Sequence, residues 1–162
     1  MIALAILAAI FLVLFAGAFI SKRRFGLLGL AVTAGATVSV IWDYDAGLLV
    51  SSTGLVPNSP LTQAVTLSLL VLLPAIVLLF HGYTYKNIFS RIIGSLLFAS
   101  LALVFLLEPI GYVLPLDGIG ATVYEQLKGF KDLIVSAGVI LAVIDLFFTK
   151  PAKHGDAEHK KH

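Results

Sequence analysis

The stretch Ile2–Ile20 carries no charged side chain, and a helix of that length, rising about 1.5 Å per residue, comes close to the ~30 Å depth of a bilayer core. Comparable apolar runs recur at 25–42, 61–80, 92–114 and 133–149. In lipid the backbone must satisfy its own hydrogen bonds, which leaves helices or closed barrels as the spanning structures. Runs near 20 residues fit helices. The expected fold is therefore all-α, a polytopic helical membrane bundle of five transmembrane helices forming one domain over 1–149, with a charged cytoplasmic tail over 150–162. If the last and shortest run were re-entrant, four spans would remain.

Composition supports the same solvent. Hydrophobic residues make up 59% of the 162 and charged residues 12%, against about 45–50% and 25% in soluble domains. The 11 basic and 9 acidic residues balance to +2, without the concentrated basic face that nucleic acid requires. Cysteine is absent, which excludes disulfides, thiolate nucleophiles and Cys-based metal sites.

Charge placement orients the bundle. Lys22, Arg23 and Arg24 follow the first run rather than precede it, the pattern of a retained anchor and not of a cleaved signal peptide. With the N-terminus outside and the C-terminus inside, residues 22, 23, 24, 86, 91, 150, 153, 160 and 161 are cytoplasmic, and only Lys128 and Lys131 lie outside. That bias matches the positive-inside rule. Trp42, Tyr44, Tyr83, Tyr85 and Phe89 fall at interface depth, where amphipathic rings are favoured.

The connections carry further signals. Residues 46–60 mix Gly, Ser, Asn and Pro with apolar side chains, as expected of an external loop lying on the bilayer. Ser90 is placed to cap the fourth helix, and Glu108-Pro109 should interrupt its outer end. Between Asp117 and Asp132, Ile119, Val123, Leu127 and Phe130 share one helical face, and Thr122 with Glu125 fits a capping box. That segment should lie flat on the outer surface.

Candidate functional groups are few. Ionisable residues within a membrane are the strongest pointers to function, and here Glu108 lies near the outer edge and Asp145 near the inner one. Either could carry a proton, with Pro74 bending the third span between them; the structural alternative makes Glu108 an interfacial carboxylate and pairs Asp145 with Arg91 or Lys86. His81 has no partner at metal-ligand spacing, and His154, His159 and His162 fit no closed site. No H-E-x-x-H, Walker or G-x-S-x-G motif occurs, so no catalytic residue, metal site or cofactor is expected. Small residues do recur at helical spacing, at Ala31, Gly35 and Ser39 on the second span and at Ser95 and Ala99 on the fourth, and such stripes let helices approach closely.

The turn Ser21-Lys22-Arg23-Arg24-Phe25-Gly26-Leu27-Leu28 between an apolar first helix and a small-residue second one resembles the start of the colicin V production protein family. Phe89-Ser90-Arg91-Ile92-Ile93-Gly94-Ser95-Leu96-Leu97 looks like that family's basic residue and glycine entering an apolar helix. The resemblance covers about residues 1–110; this chain lacks a glycine before the basic cluster and an early acidic residue. It implies a small bacterial inner-membrane protein linked to peptide export or envelope maintenance, with no catalytic motif. The expected role is a non-enzymatic scaffold, assembly factor or accessory subunit in the lipid bilayer, with a membrane-protein partner or as a homo-oligomer. The competing expectation is a small transporter or channel subunit using Glu108 and Asp145.

Overall fold

The computed structural model describes residues 2–43, 45–54, 57, 59–116 and 118–148. Among these the regular elements are all helical: α1 (Ile2–Ser21), α2 (Phe25–Ile41), α3 (Asp45–Ser52), α4 (Pro60–Phe80), α5 (Ile88–Gly111), α6 (Gly118–Gly129) and α7 (Lys131–Phe147). Tyr44, Thr149, the charged tail and the tail histidines His154, His159 and His162 lie outside the described residues.

α5 is the central helix. Buried residues make up 61% of its most apolar window, against 17% for α1 and 22% for α4. Phe98, Ala99, Leu101, Ala102, Val104, Leu106 and Leu107 form an apolar column along it. α1 packs along one side of α5, while α2 sits among α4, α5 and α7.

Glycine makes the close approaches possible. A Cβ on Gly26 would meet the Ala142 carbonyl of α7 at 2.5 Å, and one on Gly35 would collide with the Val71 and Leu70 carbonyls of α4. Pro74 lies four residues beyond Leu70 and has no N–H to donate, so the Leu70 carbonyl loses its helical partner. Helix α4 nonetheless continues through Pro74. The Gly35 backbone lies against that carbonyl, a geometry suited to a weak Cα–H···O contact.

Three helices, α1, α4 and α5, are long and apolar enough to cross a membrane, and α2 with α3, bent by 79° at their junction, make a fourth if taken as one span. This is fewer than the five expected. α2 and α7 each close at 17 residues, about 25 Å of helix and short of a ~30 Å core. Even so, α7 runs from Lys131, paired with Glu108 at one end of the bundle, to Asp145, paired with Arg24 at the other.

Several local expectations are corrected. The segment expected to be a loop over 46–60 contains most of helix α3. α5 begins at Ile88, one turn before the expected start, because Asn87 rather than Ser90 caps it through the Phe89 N–H at 3.1 Å. It also continues through Glu108 and Pro109 to Gly111, since the missing donor of a proline costs a helix one bond, which need not end it. α6 starts at Gly118, so Thr122 lies inside the helix and forms no capping box. Its buried face is Gly120 and Tyr124, while Ile119 and Phe130 point away from the bundle at 62% and 60% exposure.

Candidate functional site

Polar side chains collect at the two ends of the bundle. At the end containing the 22–24 turn, helix α2 begins without a local side-chain cap, leaving first-turn N–H groups to be satisfied from elsewhere. Asp145 of α7 does part of this in trans, its Oδ2 accepting the Gly26 N–H at 2.9 Å. The Tyr85 hydroxyl accepts the Phe25 N–H at 3.0 Å and donates to Asp145 Oδ2 at 3.2 Å. The guanidinium of Arg24 pairs with Asp145 Oδ1 at 3.2 Å and lies 5.4 Å from the centre of the Tyr85 ring. A carboxylate near a helix C-terminus opposes that helix's dipole, but here it also faces the N-terminus of α2, which favours it. Burial, reinforced by the Asp145 charge and opposed by the Phe25 N–H, raises the Tyr85 phenol above its ordinary range.

The partner of Asp145 is thus Arg24, not Arg91 or Lys86. Arg91 instead donates to the Phe19 carbonyl at the end of α1, its guanidinium 3.8 Å from the centre of the Phe19 ring. Arg23 donates to the Leu79 and Phe80 carbonyls at 2.9 and 2.7 Å, and to that of Gly82, closing the end of α4. Lysine and arginine are suited to such carbonyl ends. The two turns are laced together by Tyr85 N–H to Lys22 O at 2.8 Å and Arg24 N–H to Tyr83 O at 3.2 Å.

At the opposite end Glu108 pairs with Lys131. A cavity of about 470 Å³ opens between α2, α5 and α6, lined by Ser39, Asp43, Glu108, Tyr112, Tyr124 and Lys128 among others. A second, of about 250 Å³, includes Thr33, Thr37, Glu108 and Lys131 in its wall. Ser39, Val40 and Glu108 line both. Tyr124 is held in place by donating to the Leu107 carbonyl at 3.0 Å, and its phenol is raised by burial and then by the charges of Glu125 and Glu108.

Glu108 and Asp145 are therefore at opposite ends, separated by the apolar column of α5, and Pro74 joins neither cluster. Ala31, Gly35, Ser39, Ser95 and Ala99 are all buried within the chain. His81 is exposed at the end of α4, and no group of His, Asp and Glu able to hold a metal occurs among the described residues. The sequence reading missed Tyr85 as the centre of the Asp145 cluster and missed the cavity beside Glu108. Gly26 and Gly29 three residues apart were the available signal for the α7 approach, since both turn toward Ala142.

By the length and apolarity of its helices, this is a multi-pass helical membrane protein. No family model, curated protein or solved structure matches it.

Proposed function

We propose that the protein is a non-enzymatic scaffold, assembly factor or accessory subunit that captures a partner helix in the membrane. The observation that carries this reading is the outward face of α1. Ala5, Ala8, Ala9 and Ala16 are exposed there, and a Cβ on Gly17 would meet nothing within 4 Å. Small residues at such spacing allow close helix contact in lipid, and those of α2 and α5 are already used within the chain.

The same reading has five crossings, with α2 and α7 as short spans, the N-terminus outside and the charged tail in the cytoplasm. The passage of α7 from Glu108 to Arg24 supports this topology, as does the gathering of Lys22, Arg23, Arg24, Lys86 and Arg91 at one end. A bacterial inner membrane and a link to peptide export or envelope maintenance rest on the resemblance to the colicin V production proteins.

Photoreactive residues at positions 9 and 16, with Val77 on α4 as a lipid-facing control, test the reading in native membranes. A partner protein crosslinked at 9 and at 16, the adduct from position 16 being lost when Ala9→Leu fills the face, is the expected result. Self-adducts would make the partner a second copy. Labelling of lipid alone at all three positions would sink it.

A transport role draws support from the cavities beside Glu108. The buried apolar column between Glu108 and Asp145 weighs against one polar path joining them. Liposome flux abolished by Glu108→Gln together with Asp145→Asn would restore it.

A further inference from the structure

We propose that the outer cavity binds the headgroup of a small zwitterion, a primary ammonium joined to a phosphate, such as that of an aminophospholipid. The proposal stands independently of the partner-helix reading.

The wall of the cavity carries both signs of charge. Asp43 and Lys128 line the same space, and neither side chain has an ion-pair partner among the described residues. Glu108 contributes a second carboxylate, already engaged by Lys131. Two unpaired opposite charges facing one cavity suit a ligand that bears both signs, since each end gains a charge-assisted hydrogen bond. A simple anion or cation would engage only one of them, leaving the other, both being exposed, to water.

The rest of the wall fits the same ligand. Tyr112 and Tyr124 are among the lining residues, aromatic side chains of a kind that attracts an ammonium, and the cavity's 470 Å³ lies in the range of small-molecule sites. Leu67 and Val40 make part of the lining apolar, which suits the first carbons of a lipid. Helix α6 forms one wall and turns Ile119 outward, with Phe130 exposed just beyond its end, as a helix resting in the headgroup layer would. The cavity mouth then lies at the depth where such headgroups are found.

Trp42 supplies the readout, being the only tryptophan in the chain and adjacent to Asp43. Purified full-length protein in nonionic detergent is titrated with dihexanoyl-phosphatidylethanolamine, with free phosphoethanolamine and with dihexanoyl-phosphatidylglycerol. Trp42 emission and calorimetric heat are followed together. Saturable binding of phosphatidylethanolamine, weakened about tenfold or more by either Asp43→Asn or Lys128→Gln, is expected. Lys86→Gln at the other end should leave it unchanged, and circular dichroism checks that each variant keeps its helices.

Free phosphoethanolamine binding as tightly as the lipid would assign the site to a soluble zwitterion. Binding of the lipid alone would assign it to the bilayer. Equal affinity for phosphatidylglycerol, or no saturable signal from any of the three, would overturn the proposal.

Discussion

Asp145 accepts from groups on two other segments and pairs with Arg24, so removing its charge does more than break one contact. The pair is mostly withdrawn from solvent, at 20% and 18% side-chain exposure, and Asp145→Ala strands the Gly26 N–H and the Tyr85 hydroxyl as well. A loss of about 2 kcal/mol is expected, between the values for exposed and fully buried pairs, read as a lower midpoint of unfolding in detergent. Lys131→Ala breaks a pair whose carboxylate is 56% exposed, and should shift the same midpoint little. Tyr85 adds a pH signature. Its phenol is raised in the fold, so its contribution is complete below the unfolded value near pH 10 and is lost as pH climbs through the folded value. As pH rises above about 10 the wild type should therefore lose more stability than Tyr85→Phe. At Gly35 a methyl group would strike the α4 backbone, which cannot rotate away as a side chain can. Gly35→Ala should cost about 1–3 kcal/mol in the same unfolding measurement.

Among the elements, α6 is held by fewer ties than any of the long helices, though α3 packs against α4 alone. Gly120 abuts Ala3 of α1, and the Tyr124 hydroxyl reaches the Leu107 carbonyl. Tyr124→Phe removes a hydrogen bond worth about 1 kcal/mol. Hydrogen exchange of the α6 amides should then speed up several-fold while those of α5 stay protected; equal acceleration in both would mean that α6 does not open on its own. The character of α6 was legible as amphipathic spacing, yet which face meets the protein was not. Ile119 and Phe130 satisfy the same periodicity whether they turn to lipid or to the bundle, and only Tyr124, a ring with a polar tip, could both fill the gap and cap a carbonyl. The start of α5 was hidden for a related reason. Asn87 and Ser90 are both capable caps, and the interlocked 22–24 and 83–85 turns accompany the earlier start.

At the scale of the whole molecule, one end is stapled by cations that each close a different element. Arg23 closes α4, Arg91 closes α1, and Arg24 with Asp145 ties α7 to the start of α2. The same residues that carry the proposed charge bias thus serve the tertiary structure. Because the chain has no cysteine, orientation is directly measurable with single-cysteine variants. Lys128→Cys should react with an impermeant maleimide from outside intact cells, and Lys86→Cys only after permeabilisation; the reverse pattern would invert the topology.

Hydropathy by itself determined the solvent, the all-helical class and the approximate place of each apolar helix, because lipid demands a self-satisfied backbone and a length near that of the core. It also marked Gly35, Ser39, Ser95 and Ala99 as packing positions, since small residues at helical spacing serve little else in lipid. It could not decide where α2 and α7 stop, because the apolar runs extend past the residues that remain helical. Only the tertiary structure decided that Asp145 belongs to Arg24 and Tyr85, and that Glu108 borders a cavity instead of sharing a path with it. Those pairings join residues about 60 to 120 positions apart, and no local periodicity carries information over that distance.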